Sequence, residues 1–368
     1  MRLSPQQRFH WLPGSVLLAI PWWVCSLLGH RRVSSGRYDR STLMCLFQAW
    51  RKKPTIDNLL AYLKFRRDLG YAVPSRFKAQ LLVGMNQLGH VGRRRMVNLL
   101  QEKWPDILAD LPTEQLLPFK TESPPVAAEL QARGVACSGD TTALAQMHSS
   151  QEKWRAEFVQ FLQDRRSSIC IVGNAASLEG AGVGEKIDRH EVVFRFNHFY
   201  PDLHNAIPPE QEGGERGEGL QLIRDIGERL DVWVRVPVLP MPGPTILNAP
   251  DWVIISGPDA RYSTDRWQGI VPLLKAGTKV LTFPIQTWAG LVRELQAPPS
   301  AGVLTLGWVE EIVGHPRDVC VAGFQTRKTK SMRYHHVLRH HKPGKRHNWQ
   351  AERRLLRRYE SEGFAFLD

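Results

Sequence analysis

Apolar residues recur at three- and four-residue spacing through the first third of the chain. The pattern covers residues 58–67, 75–89 and 93–104, and Gly or Pro residues separate these stretches. Such spacing places apolar side chains on one face of an α-helix, and Gly and Pro mark turns. The pattern predicts an N-terminal all-helical region at residues 1–112.

Residues 113–150 are richer in Pro, Ser, Thr and Gly, a composition that favours a linker with one short helix. From 151 to 368, short apolar runs alternate with amphipathic stretches, which predicts an α/β domain. Its Rossmann-like, mostly parallel sheet is flanked by helices. The predicted strands are 168–173, 191–196, 231–238, 252–256, 279–283 and 318–323, and the predicted helices are 151–165, 285–295, 303–313 and 348–359.

The ligand site of such a sheet lies beyond the carboxyl ends of the strands, so functional residues should follow strands. Gly173-Asn174 follows the first predicted strand, and Ala175, Ala176 and Ser177 continue as a turn of small residues. Small residues let backbone N–H groups approach a phosphate or nucleoside. The second strand ends at Asn197, where a dinucleotide enzyme usually has an acid for the ribose.

Two further segments carry candidate chemistry. Ser300 stands at the N-cap position of a predicted helix, whose free amides form an anion site around Ala301 and Gly302. Five histidines fall in the basic tail, with no companion Cys or Asp and no HExxH motif for zinc. Each segment taken alone is also typical of an ordinary cap or a solvated basic surface.

The formal net charge is +13, which predicts an anionic partner. Twelve Lys and Arg residues lie between positions 327 and 360 against two acids, so this stretch carries about +10. In the first 53 residues, nine Lys and Arg residues face one acid, Asp39. Nucleic acid, a membrane surface and a phosphorylated small molecule all fit the charge.

The 19 residues from 11 to 29 contain no charged side chain, and Pro13 and Pro21 interrupt them. Their length is near that of a membrane span, but the prolines favour a buried or interfacial segment. The five cysteines are odd in number and widely spaced, which argues against a disulfide framework or a zinc site. We expect a cytoplasmic protein, at the cytoplasmic face of a membrane, with a single-pass anchor in a secretory compartment as the alternative.

Together, the segments resemble glycosyltransferase family 29, the animal- and plant-type sialyltransferases, here in a bacterial member. The resemblance runs from about residue 160 to 368 and rests on four motifs in the family's order. Residues 170–197 match the large sialyl motif, and the Asp-x-Gly with which that motif usually ends is found further along, at Asp225-Ile226-Gly227. Residues 299–324 match the small motif, and Tyr334-His335-His336 matches motif III. His347 and Glu352 match the very small motif.

The resemblance implies a GT-A-like variant of the fold and transfer of sialic acid from CMP-sialic acid to a glycan hydroxyl, with inversion. His347 would be the general base, and His336 or His335 would donate to the phosphate. Donor-binding residues would be Gly173, Asn174, Ala175, Ser177, Asn197, Ser300, Ala301, Gly302 and Tyr334, supported by Asp225 and Glu352. No Asp-x-Asp motif occurs, so we expect no metal and no cofactor, and CMP-sugar, glycan or glycolipid and a membrane surface as partners, without nucleic acid.

The family's disulfide joins its large and small motifs. Cys170 lies one residue later than the usual position, the position near Pro316 has no cysteine, and Cys320 lies within the strand. A shift of one residue reverses the facing of a strand side chain, so no disulfide is expected. Other functions remain open: transfer from another CMP-activated ulosonic acid such as Kdo, a basic nucleic-acid-binding module, a Rossmann methyltransferase or dehydrogenase, or an inactive homologue.

Overall fold

The computed structural model describes residues 19–104, 106–197, 223–236, 250–258, 267–314, 317, 319–326, 344 and 346–367. The chain divides into two compact units. The first unit consists of Met1–Pro112, Pro284–Pro299 and Lys345–Asn348, and the second of Thr113–Phe283, Ser300–Gly344 and Trp349–Asp368.

The described N-terminal part of the first unit is helical, as its three- and four-residue spacing predicts. Asp39 and Thr55 cap two of the helices by accepting backbone N–H groups from Thr42 and Asn58. The helices are α1 (Trp22–Ser34), α2 (Arg40–Lys52), α3 (Ile56–Asp68), α4 (Phe77–Gly84), α5 (His90–Lys103) and α6 (Ile107–Asp110), with a 3₁₀ turn at Met85–Gln87.

A later segment of the chain returns to this first unit. The helix Ile285–Leu295 is tied to it where Arg293 Nη1 donates to the Leu69 carbonyl at 3.3 Å and Tyr38 N–H donates to the Gln296 carbonyl at 3.1 Å. The bounds of this helix are those predicted, but its packing partner is not visible in a local pattern.

Residues 113–150, predicted as a linker, fold into helices α7 (Thr113–Leu116), α8 (Pro124–Ala132) and α9 (Gly139–Ser149). Pro124 occupies the first position of α8, where its missing N–H costs no hydrogen bond, and Ser138 caps α9. Ala127, Leu144 and Met147 are fully buried in a core that also contains strand residues. The stretch therefore belongs to the second unit. The linker prediction was wrong because Pro and Ser residues, which often mark turns, begin helices here.

Seven parallel strands form the sheet of the second unit, in the order β5-β4-β3-β2-β1-β6-β7. This confirms the predicted α/β fold with a parallel sheet. The six predicted strands are present, and β7 is an addition, too short and exposed to give a signal in the sequence. The strands are β1 (Ile169–Val172), β2 (Val192–Phe196), β3 (Val232–Arg235), β4 (Trp252–Pro258), β5 (Lys279–Phe283), β6 (Val319–Ala322) and β7 (Ala365–Leu367).

Helices cover both faces of this sheet. Successive residues of β2 point in opposite directions: Val193 packs with Ile187 on one face, while Phe194 lies 6.4 Å from the Phe158 ring on the other. The second unit's remaining helices are α10 (Gln151–Asp164), α11 (Gly184–Asp188), α12 (Val271–Lys275), α14 (Ala301–Val313) and α15 (Trp349–Glu362), and α13 is the helix Ile285–Leu295 of the first unit.

An aromatic cluster joins α10, α14 and the sheet. Phe158 on α10 is fully buried, with its ring centroid 5.2 Å from Trp308 on α14 and 5.0 Å from Trp252 on β4. Aromatic contacts of this kind add to the apolar area that the rings bury. The cluster therefore fixes two helices on one face of the sheet.

The apolar segment 11–29 is only partly described, because residues 11–18 lie outside the described ranges. Its later part opens α1, which has 13 residues. Within the described residues, no helix has both the length and the apolar character needed to cross a bilayer.

We expect Phe158→Ala to lower the free energy of unfolding by about 3–5 kcal/mol, the usual cost of emptying a buried phenylalanine site. Urea unfolding followed by circular dichroism measures this loss. Phe161 on the same helix is only partly buried, so Phe161→Ala is the matched control with a smaller loss. Equal losses in the two variants would contradict the central position of Phe158.

Candidate active site

Strands β1 and β6 meet closely at their carboxyl ends. Gly173 N–H donates to the Ala322 carbonyl at 2.7 Å, and Ala175 N–H donates to the Gly323 carbonyl at 3.0 Å. A methyl group on Gly173 would lie 2.4 Å from the Gly323 carbonyl oxygen, so only glycine fits there. Gly323 has φ +67°, a left-handed conformation that glycine adopts without strain.

The ring of Phe324 links three predicted segments. A methyl group would lie 2.9 Å from this ring at Gly173 and 2.6 Å from it at Gly302, so both glycines make room for the ring. The Phe196 ring packs edge-on at 6.3 Å. Gly173, Gly302 and the end of β2 therefore meet at one edge of the sheet, as predicted. Phe324 ends the small-motif match, but no role was assigned to it from the sequence; the glycines opposite its ring are the signal that could have found it.

The two predicted asparagines are held by the ends of neighbouring strands. Asn174 Nδ2 donates to the Phe196 carbonyl at 3.4 Å. Asn197 has φ +51° and its Oδ1 accepts the N–H of Val236 at 3.0 Å. Asparagine tolerates this left-handed backbone better than most residues. Asn197 is therefore fixed against β3, with one of its side-chain acceptor positions in use.

Ser300 caps α14 as predicted, and a buried glutamate holds it. Val303 N–H donates to Ser300 Oγ at 3.4 Å, and Ser300 N–H donates to Glu352 Oε1 at 2.8 Å. Glu352 is only 2% exposed, and burial raises its pKa from 4.5 to about 7, although hydrogen bonds from the Ser300 backbone and hydroxyl oppose the rise. A carboxyl group thus already occupies the N-terminus of α14.

The remaining small residues predicted at the site lie in the same two segments. Ala175 is buried and immediately precedes the 3₁₀ turn Ala176–Leu178, and Ser177 is exposed within that turn. Ala301 is half-buried at the first position of α14. Both segments begin beside the Phe324 ring, so the small-residue prediction and the N-cap prediction fall at one place.

Asp225 and Asp188 form a reciprocal clamp. Asp225 accepts the N–H groups of Gly180 at 2.8 Å and Gly182 at 3.0 Å. Asp188 accepts the N–H groups of Glu228 at 2.8 Å and Arg229 at 3.0 Å. Each carboxylate therefore fastens the loop beside the other one. The supporting role of Asp225 in the site stays a prediction, and Asp188 was assigned no role from the sequence.

Arg195 reinforces this clamp from inside the protein. It is 1% exposed, and its Nε donates to the Arg229 carbonyl at 3.0 Å while Nη2 lies 3.6 Å from Asp188 Oδ1. Burial lowers its pKa to about 10, against the pull of Asp188, so the guanidinium stays charged at neutral pH. The Arg-Phe-Asn end of β2 is therefore anchored on one face and presents Asn197 at the edge.

Cys170 and Cys320 are register partners on β1 and β6, and both are buried free thiols. The hydrogen bond with Cys320, together with burial, raises the pKa of Cys170. Hydrogen bonds with Cys170 and then His190 lower the pKa of Cys320. Cys170, which lies one residue later than the family position, is thus opposite Cys320 at the amino-terminal half of the strands.

His347 lies in the first unit. Its Nδ1 is 2.8 Å from the Pro298 carbonyl oxygen, which can only accept, so Nδ1 carries the proton. In the neutral ring the lone pair is then on Nε2. Tyr334, His335 and His336 lie outside the described residues. Among the residues that the structure describes, no group of three or more His, Cys, Asp or Glu side chains could hold a metal ion.

Glu352→Gln should change how stability depends on pH. Because the folded state raises the pKa of Glu352 from 4.5 to about 7, wild-type stability falls as the pH rises through that window. The full shift is worth roughly 3 kcal/mol. Glutamine does not titrate and still accepts from Ser300 N–H, so the variant should be the more stable protein at pH 8.

Urea unfolding at a series of pH values measures this difference. Glu360→Gln removes the same charge from the exposed face of α15 and is the matched control. An unchanged slope in Glu352→Gln would show that Glu352 does not titrate in this window.

A family model described as glycosyltransferase family 29 (sialyltransferase) matches residues 127–200. Among solved structures, the chain is similar to a mammalian sialyltransferase crystallised with Gal-beta-1-3GalNAc-ortho-nitrophenol, at 14% identity over 84% of this chain and 93% of that one. The TM-score is 0.38, too low for this likeness to carry any argument. No curated protein sequence matches the chain. The matched residues run through β1, the Gly173-Asn174 turn and β2, so this part of the chain is similar to glycosyltransferase family 29.

Proposed function

We propose that the protein transfers sialic acid from CMP-sialic acid to a glycan hydroxyl, with inversion and without a metal. The observation that supports this most directly is the meeting of Gly173, Gly302 and Phe196 around the Phe324 ring. This edge of a parallel sheet is where such folds bind nucleotides. At this edge lie two asparagines and a helix N-terminus. The asparagines suit a neutral base and ribose, and the helix N-terminus suits a single phosphate.

The nucleoside half of the donor would contact the asparagines. Asn197 uses Oδ1 to accept from Val236, so we assign its Nδ2 group as the donor to cytidine or ribose. Asn174 would contact the same half from β1. Gly173, Ala175 and Ser177 would let the backbone approach the ligand closely, because none has a large side chain.

The anionic half would lie near the N-terminus of α14. Ser300 N–H and Val303 N–H already have partners, so the amides of Ala301 and Gly302 are the donors we assign to the phosphate or the donor carboxylate. A second anion beside Glu352 would favour the protonated form of that acid. With its pKa raised to about 7, Glu352 can become neutral near physiological pH, so the donor would be bound together with a proton.

The transfer forms a bond from the acceptor oxygen to the anomeric carbon and breaks the bond from that carbon to the CMP phosphate oxygen. His347 Nε2 would take the acceptor proton, in the tautomer fixed by Nδ1–H donation to Pro298. CMP leaves with the electron pair, and His336 or His335 would donate to its phosphate, with Tyr334 beside the donor. Attack from the face opposite CMP inverts the anomeric centre.

A donor screen tests the substrate assignment. Release of CMP from CMP-sialic acid, measured with a panel of glycan acceptors and with EDTA present, should exceed release from CMP-Kdo. Turnover with CMP-Kdo alone would replace the proposed donor by the other ulosonic acid. Loss of all turnover on adding EDTA, with recovery on adding a divalent cation, would overturn the metal-independent mechanism.

His347→Ala should lower kcat by about 10²–10⁴, the usual contribution of a general base. The KM for CMP-sialic acid should change little, because the base contacts the acceptor. His90→Ala replaces an exposed histidine of the same unit and is the control. Full activity in His347→Ala, with native circular dichroism, would remove His347 from the mechanism.

A further inference from the structure

Helix α1 presents two large apolar side chains to solvent. Trp23 is 57% exposed and Leu27 is 61% exposed, and they are four residues apart, so they lie together on one face of the helix. His30 and Arg31 continue that exposed face one turn later. Exposed tryptophan next to exposed leucine is costly in water and indicates a contact surface.

Basic side chains from the end of α2 surround the start of α1. Lys53 Nζ lies 4.1 Å above the Trp22 ring, and Lys52 Nζ donates to the Ile20 carbonyl. Arg51, in the last turn of α2, is exposed as well. The two helices therefore bring aromatic, aliphatic and cationic groups to one end of the pair.

Few acids lie near these cations in the sequence. Asp39 is the only acid in the first 53 residues of the chain. It forms an ion pair with Arg32 at 2.6 Å and accepts from Thr42 N–H at 2.8 Å, with both partners of the ion pair largely buried. Its charge is therefore used within the fold and does not neutralise the exposed Lys and Arg side chains.

We propose that the α1–α2 surface, formed by Trp22, Trp23, Leu27, Arg51, Lys52 and Lys53, docks on a bilayer that contains anionic lipid. Tryptophan has an apolar ring and a polar N–H, and it suits the boundary between headgroups and acyl chains. Lysine and arginine bury their stems and keep their charges among the phosphates. At 13 residues, α1 is too short to span the hydrocarbon and long enough to lie in the interface.

The charge pattern favours a lipid surface over a protein partner. A protein partner would need an acidic patch next to an apolar one, whereas an anionic bilayer offers both over its whole area. The sequence immediately before α1 extends the same chemistry, because residues 11–19 carry no charge and include Trp11.

Co-sedimentation of the full chain with vesicles tests the proposal. The protein should pellet with phosphatidylcholine vesicles that contain phosphatidylglycerol, less with phosphatidylcholine alone, and less at high salt. The double variant Arg51→Glu/Lys53→Glu should lower the affinity for the anionic vesicles at least about tenfold, because it reverses two charges. Trp23→Gln/Leu27→Gln should lower the affinity for both kinds of vesicle.

Val83→Gln is the matched control, because Val83 is 77% exposed on α4, away from the α1–α2 surface in sequence. It should leave vesicle binding unchanged, and thermal melting should show that every variant is folded. Failure of the wild-type protein to pellet with anionic vesicles would overturn the proposal. Wild-type affinity for vesicles in both double variants would overturn it as well. The same holds if the variants change the oligomeric state measured by light scattering but leave lipid binding unchanged.

Discussion

The close approach of β1 and β6 is the constraint on which the site depends. Two parallel strands about 150 residues apart in sequence meet as neighbours, and their ends are joined by hydrogen bonds from Gly173 and Ala175. A side chain at residue 173 would separate these ends, because its Cβ would lie 2.4 Å from the Gly323 carbonyl oxygen. The approach positions Phe324, and Phe324 in turn sets the place of Gly302 at the start of α14. The large and small motifs are therefore two sides of one packing contact.

Several polar groups near this contact act on the backbone. Asp188 and Asp225 each accept two N–H groups across a loop pair, and Arg195 joins β2 to the same loops. A buried carboxylate that accepts two N–H groups satisfies donors that would otherwise be costly to bury. Motif residues of this kind preserve the shape of the edge. A motif match on its own therefore locates the site, but it does not distinguish residues that would bind a ligand from residues that hold the backbone in place.

The sequence predicted the sheet well because each buried strand is a short apolar run between turn residues. It failed at residues 113–150, where Ser123-Pro124 and Ser138 begin helices although the composition is typical of a linker. It also could not show that α13 joins the first unit. The spacing of apolar residues shows which face of a helix is buried, but not which element packs against that face. In the site, the Ser300 cap was predictable from local rules, whereas the ligand contacts of the asparagines stay predictions. Phe324, Asp188 and the Cys170–Cys320 pairing depend on strand order and register, which only the fold supplies.

The positive charge of the chain and the acid at the helix N-terminus would have opposite effects on the anionic donor that we propose. Helix α14 directs its positive end toward the site, yet Glu352 is buried against Ser300 and would repel a phosphate when ionised. Burial resolves the conflict, because it raises the pKa of Glu352 to about 7 and makes the neutral acid accessible. A neutral Glu352 still accepts from Ser300 N–H and so still holds the cap. The same side chain can therefore keep the helix start in place without the donor and stop opposing the donor's charge when it arrives.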